Sequence, residues 1–214
     1  MTQADPTVVL SLAYLGSVHY FARLCTAPCV IDVHEHFVKQ SLRTRCNILT
    51  ANGPAPLAVG VAKMPNWPKT PVREVRVDYS KTWQHRHWMS LVSAYRSAPY
   101  FDHYAPRLEP FYTRRYDFLL DLDLELTTLL LEMIGSDVRP VLSQSYVEPG
   151  PGIGDLRHCL SEKPRLARPD PHFTEKPYYQ AFAPAGFVPG LSVVDLLFAE
   201  GPHTLEHLRS CVTL

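Results

Sequence analysis

An excess of charge of either sign is missing from this chain: 21 Lys and Arg stand against 21 Asp and Glu in 214 residues. With 46% hydrophobic residues, that balance disfavours intrinsic disorder and a polycationic nucleic-acid binder alike, so no nucleic-acid partner is expected. An uninterrupted apolar run is missing too. The longest, Phe118 to Ile134, carries Asp121, Asp123, Glu125 and Glu132, so nothing approaches the roughly 20 uncharged residues of a membrane span. No basic residue stands in Met1 to Pro6, which is the wrong charge for the start of a secretory signal, and a cytoplasmic protein is expected. A disulfide framework is missing as well: Cys25, Cys29, Cys46, Cys159 and Cys211 are odd in number and scattered, and are read as reduced thiols. Internal repeats are absent, which excludes a solenoid.

What is present is arginine and proline. Fifteen of the basic residues are Arg, and there are 20 Pro. Such an excess fits a surface that grips anions bidentately, or a genome that favours those codons, and only positions can decide.

Thr7 to Tyr14 reads as a buried strand, Val18 to Leu24 as a helix stopping before Pro28, and Cys29 to Val38 as a second strand. Thr44 to Thr50 and Leu57 to Ala62 flank Asn52-Gly53, the dipeptide that best tolerates a hairpin tip. After a connector containing Pro65, Pro68 and Pro71, Glu74 to Tyr79 reads as another strand. Ser80 is expected to cap a helix over Trp83 to Arg96, which puts Trp83, His87, Leu91 and Tyr95 on one face. A shorter helix is expected over Phe101 to Tyr116, broken near Pro106 and Pro110. Asp121 to Ile134 reads as a buried helix with Gly135 past its end. Val138 to Leu142 is a strand candidate, and residues 148–170, rich in Gly, Pro and charge, are expected to form a flexible loop. Ser192 caps a helix over Val193 to Ala199, and a last helix covers His203 to Cys211. The pattern is α/β: a single domain, 1–214, with a mixed sheet containing a β-hairpin, flanked by helices.

Several residues have the chemistry of a site. In Asp32-Val33-His34-Glu35-His36, strand alternation would place His34 and His36 on one face, as two metal ligands with no third in view, or simply as a wet strand end. His85 and His87 repeat the spacing on a helix, where they point about 200° apart. Lys39, Arg43 and Arg45 lie close by, with Asn52 at the next turn. Two arginine forks on one side of an extended segment suit a phosphate or carboxylate, or else guard an edge strand. Cys46, beside Arg45, is a nucleophile only if a base such as His87 reaches it, and is otherwise a buried thiol. Gly150-Pro151-Gly152-Ile153-Gly154 lacks the strand and helix that make a phosphate loop and is read as a flexible loop. The pairs Tyr100-Phe101, Phe111-Tyr112 and Tyr178-Tyr179 can stack on a sugar or fill the core.

Taken together, these blocks resemble the WbqC-like family: Tyr14-Leu15-Gly16 with Tyr20-Phe21, Lys39 followed by Arg43-Thr44-Arg45-Cys46, Asn52-Gly53, Trp83-Gln84 with His87-Trp88, Ala94-Tyr95 leading to Ser97-Ala98-Pro99-Tyr100-Phe101, and Leu191-Ser192-Val193-Val194-Asp195-Leu196-Leu197-Phe198. They run in order to about Gly201. Members are encoded among genes for O-antigen and other surface polysaccharides, so the resemblance implies a role in making or modifying an activated sugar. Arg45, Trp88, Tyr95, Tyr178, Gln180, Ser192 and Asp195 match the family pattern. Thr44 and Cys46 depart from it, each standing where relatives carry Asn, which argues against an obligatory thiol at Cys46. Asp195, three residues past Ser192, has the position of a capping-box acid, whereas Gln180 has no such account and is the better substrate contact.

The resemblance implies a transferase that acylates or aminoacylates a nucleotide-linked amino sugar, with a small anionic substrate and no cofactor named. Arg43 and Arg45, with Lys39 and Asn52 near, would hold the diphosphate or a carboxylate. His36 or His87 would take the proton, Tyr179 would pack on the sugar, and Trp88, Tyr95 and Gln180 would complete the binding surface. The alternatives are a non-catalytic binding or assembly protein and a metal-dependent hydrolase using the His34/His36 strand. An enzyme would gather Arg45, His36 or His87, and Gln180 around one pocket.

Overall fold

The computed structural model describes residues 7–67, 69–159, 169–183 and 186–213. Valine and leucine set its centre: β1 (Thr7–Ser11) buries Val8, Val9 and Leu10 on both faces, as a middle strand of a parallel sheet requires. The chain then turns through Leu15 and Gly16 into α1 (Val18–Thr26), where Ser17 caps the first turn by accepting the Tyr20 N–H at 3.2 Å. It returns as β2 (Cys29–Asp32), parallel to β1, with Ser11 opposite Asp32.

The hairpin of β3 (Arg45–Thr50) and β4 (Gly53–Ala58) follows, closing at Thr50 and Gly53, which sits at φ +96°. Pro54 and Pro56 have no N–H to donate, which confines β4 to an edge. Helices α2 (Trp83–Tyr95), α3 (Phe101–Leu108) and α4 (Leu119–Ile134) come next. Gly135 ends α4 in the left-handed conformation at φ +81°, and its N–H reaches back to the Glu132 carbonyl. A third strand, β5 (Ile153–Asp155), lies parallel to β1 on the side away from β2, so the sheet order is β2-β1-β5. The helices α5 (Val193–Glu200) and α6 (Thr204–Ser210) complete the fold. One apolar core joins β1, α1, the hairpin and α2 through α5. Among the described residues no helix is long and apolar enough to cross a membrane.

The fold is α/β with parallel and antiparallel pairing, but the hairpin is a two-stranded sheet of its own rather than part of the parallel one. Other differences are local. The second strand stops at Asp32, because its carboxylate accepts the His34 N–H at 2.9 Å and bends the chain. Glu74 to Tyr79 is no strand: a 3₁₀ turn at Val72–Glu74 leads into isolated bridges of Arg76 with Phe118 and Val77 with Val61. Val138 to Leu142 contributes one bridge, Leu142 to Ile31. The second hairpin strand is Gly53–Ala58 rather than Leu57 to Ala62. Ser80 hydrogen-bonds Asp78, and Thr82 holds the cap position of α2. Of the expected loop at 148–170, Ile153–Asp155 is β5, and residues 160–168, like Pro68, lie outside the described residues.

Candidate functional site

Open parallel sheets bind ligands beyond the carboxyl ends of their strands, where neighbouring strands are reached by connections running opposite ways. Here β1 is that strand, and the residues that follow β1, β2 and β5 wall two cavities.

The first cavity, of about 230 Å³, is walled by the β1–α1 turn, the start of β3, Cys159 beyond β5, and Phe173 and Glu175. The turn is tight. Leu15 sits at φ +43°, unusual for leucine, and its carbonyl is held by the Ser192 hydroxyl at 2.7 Å. A Cβ at Gly16 would lie 2.7 Å from the Tyr20 ring, so only glycine lets the turn close on the helix. Strand alternation on β3 then separates Arg45 and Asn47, half-buried at the cavity, from Cys46 and Ile48, buried on the core side. The Arg45 guanidinium has no hydrogen bond or ion pair with any described residue.

His19, in the first turn of α1, gives the same cavity a base. Its Nε2 lies 2.8 Å from Asp170 Oδ2, and its ring stacks on Phe173 with centroids 3.8 Å apart. Asp170 also accepts the His172 N–H and lies 3.4 Å from the Arg23 guanidinium. Burial would raise the Asp170 carboxyl, but the hydrogen bonds from His19 and the His172 amide outweigh it and hold it below the usual carboxylate range. Burial lowers His19 below its ordinary value, only partly offset by Asp170. The imidazole is therefore neutral at pH 7; with Nε2–H donated to Asp170, Nδ1 carries the lone pair. Glu175 accepts the Gly190 N–H at 2.9 Å, and burial raises its carboxyl.

The second cavity, of about 510 Å³, is lined by His34, Glu35, His36, Arg43, Tyr146, Arg157 and His158. Its cations are paired. Arg157 donates to Asp155 at 2.9 and 2.7 Å and to the fully buried Asp32 at 2.6 Å, and lies over Tyr146. His34 Nε2 lies 2.7 Å from Arg73 and Nδ1 3.1 Å from Ser143, whose hydroxyl donates to Asp32.

The residues expected at a site go to different places. Arg45 reaches the first cavity. Arg43 does not share its face: it is 3% exposed and its fork is held by Glu35, with Ser11 at 2.8 Å and Ser41 at 3.2 Å, because it precedes β3 in a buried turn. Cys46 touches the first cavity but packs on the core side of β3, near the hydroxyls of Tyr14 and Tyr112. His36 is exposed at the second cavity. The strand ends at Asp32, so strand alternation does not set the two histidines: both line the second cavity, and His34 is engaged by Arg73 and Ser143. Among the described residues no group of three metal-ligating side chains converges.

His87, expected as an alternative base, is core: it accepts the Ala58 N–H on Nε2 at 3.1 Å and meets Tyr14 Oη on Nδ1 at 2.9 Å. Burial, then the Arg86 charge, push it down to about 4. Lys39 lies 3.8 Å over the Trp67 ring, Asn52 is exposed at the hairpin tip, and Trp88 stacks on Phe101 and Tyr112. Tyr95 donates its hydroxyl towards Asp195 and accepts the Leu49 N–H. Tyr179 is exposed beside a shallow cleft away from Arg45. Gln180 has a structural account after all: it clamps Val188 through both backbone groups at 3.0 and 2.9 Å and donates to Asp195. Asp195 in turn accepts from Tyr178 at 2.8 Å instead of reaching back to its cap.

His19, Asp170, Cys159 and Glu175 were not singled out by sequence. For His19 the available signal was its place in the first turn of a helix after a buried strand and Gly16-Ser17.

A model of the WbqC-like protein family matches residues 13–153, which include the β1–α1 turn, His19 and Arg45. No curated protein and no solved structure matches the chain.

Proposed function

Because the chain belongs to the WbqC-like protein family, we propose that it is a transferase of surface-polysaccharide biosynthesis, acting in the cytoplasm on a nucleotide-linked amino sugar. The observation that carries this reading is the pairing, on one cavity, of a guanidinium with no partner among the described residues and an imidazole oriented by a carboxylate. Arg45 supplies the fork for a phosphate or carboxylate. His19, its tautomer fixed by Asp170, takes the proton from the attacking amine as nitrogen bonds to the acyl or aminoacyl carbon and the donor's leaving group departs. The test is binding and turnover with nucleotide amino sugars and activated acyl donors. Arg45→Ala should markedly reduce the ligand-induced rise in melting temperature, and His19→Gln should cut turnover by about 10²–10⁴-fold but keep binding. Binding that ignores Arg45 would sink the reading.

A second reading, a binding or assembly protein, draws on one observation: His36, His87 and Gln180 lie at three separate places instead of around Arg45. It predicts Arg45-dependent binding with no product from any donor.

A further inference from the structure

Transfer at this cavity can proceed in one displacement or two, and the difference is a nucleophile. Five thiols are present, none in a disulfide. Cys25 and Cys211 are buried away from the cavity, and Cys211 accepts the Lys176 N–H. Cys29 points its thiol at the Arg23 carbonyl at 3.3 Å, and burial pushes it up to about 12. Cys46 is 6% exposed on the core side of β3. Cys159, half-buried like Cys29 and with its thiol 3.9 Å from the Asp155 carbonyl, differs in its place: it lines the cavity, four residues past the end of β5. His19, from the turn after β1, lines the same cavity, and so does Arg45.

We infer that Cys159 is the nucleophile of this cavity, with His19 as its base and Asp170 as the positioning residue, so that the transferred group passes through a Cys159 thioester. The inference rests on the transferase reading above and adds the path. In the first half, His19 Nδ1 takes the Cys159 proton, sulfur bonds to the acyl carbon of an activated donor such as an acyl thioester, and the donor's leaving group departs with that proton. In the second, the sugar amine attacks the Cys159 thioester, the C–N bond forms, the C–S bond breaks, and the amine proton passes through His19 back to sulfur. No oxidant or reductant is needed. Arg45 faces the same space, and a nearby guanidinium favours thiolate over thiol.

The probe is iodoacetamide, which alkylates thiolate irrespective of substrate, followed site by site with peptide mass spectrometry. Cys159 should be alkylated about tenfold faster than Cys29 at pH 7, with a rate that rises through an inflection below the roughly 8.5 of an ordinary thiol. In both His19→Gln and Asp170→Asn the inflection should move back up, a shift that a purely structural role for Asp170 would not give. Incubation with an acyl thioester should add one acyl group at Cys159, absent in Cys159→Ser and retained in Cys46→Ala. Alkylation of Cys159 no faster than Cys29, or a pH profile unmoved by either variant, overturns the thioester. Either result leaves the transferase reading standing as a single displacement whenever Arg45-dependent sugar binding persists, so the two failures are told apart.

Discussion

Asp170 and His19 are 151 residues apart in sequence, yet their side chains meet at 2.8 Å on the wall of one cavity. The carboxylate fixes which ring nitrogen holds the proton, and its hydrogen bond and charge raise a histidine that burial otherwise lowers. Removing it therefore has two separable effects. In Asp170→Asn the acid limb of the rate profile should shift to lower pH, since the ring loses what favoured its charged form. The plateau should fall as well, because orientation is lost. His19→Gln should lower turnover by about 10²–10⁴-fold, the usual worth of a positioned base. A pH profile identical in wild type and Asp170→Asn would remove Asp170 from the mechanism.

Arg45 offers the opposite combination, a large effect on binding with almost none on folding. It has no described partner to lose, so Arg45→Ala should leave thermal stability within about 0.5 kcal/mol. Affinity for an anionic substrate should fall about 10- to 100-fold, as a charged hydrogen bond is worth about 1.5–3 kcal/mol. Arg45→Lys should recover only part of that, since a point charge replaces the fork. Calorimetric titration beside a melting curve checks both halves.

The two arginines that look equivalent in sequence show where local reading stops. Arg43 and Arg45 are two apart, and an extended segment would put them on one side, but β3 begins only at Arg45, so Arg43 turns inward to Glu35. Elements set by nearby residues were legible: α1 ahead of Pro28, α4 with Gly135 at its end, and the Asn52-Gly53 hairpin. β5 was not, because Ile153-Gly154-Asp155 becomes a strand only through pairing with β1. The site divides the same way. The place of Arg45 on an extended segment was legible from its neighbours, whereas the contact of His19 with Asp170 and those of Gln180 with Val188 and Asp195 are not encoded by spacing.

Arg43 itself predicts a structural phenotype. Its side chain is 3% exposed and Glu35's 7%, and burial raises the Glu35 carboxyl despite the Arg43 charge. Removing one partner strands the other, at a cost of about 3–5 kcal/mol, whereas replacing both by apolar residues of similar size is often neutral. Arg43→Ala should lower the melting temperature by roughly 6–20 °C for a chain of this length, and Arg43→Met with Glu35→Leu should recover most of it. A double variant no better than the single one would show that Ser11 and Ser41, the other acceptors from Arg43, matter more than the charge pair.

Asp123 carries the clearest dependence on pH. It lies inside α4, fully buried, and among the described residues neither its carboxylate oxygens nor the nearby Tyr20 hydroxyl have a hydrogen-bond partner. Burial is the cause that raises its pKa well above 3.8. The folded state then holds a proton that the unfolded chain gives up, so stability is greatest below about pH 3.8. It declines as pH climbs from there to the folded pKa and is constant beyond. Each unit of separation is worth about 1.4 kcal/mol. Asp123→Asn keeps the shape and removes the titration, so the variant should match wild type in acid and exceed it progressively towards neutrality. Denaturant unfolding at a series of pH values reads that difference directly. A gap constant with pH would mean that Asp123 does not titrate between its folded and unfolded states, and that its carboxyl is compensated inside the core by the groups around Tyr20.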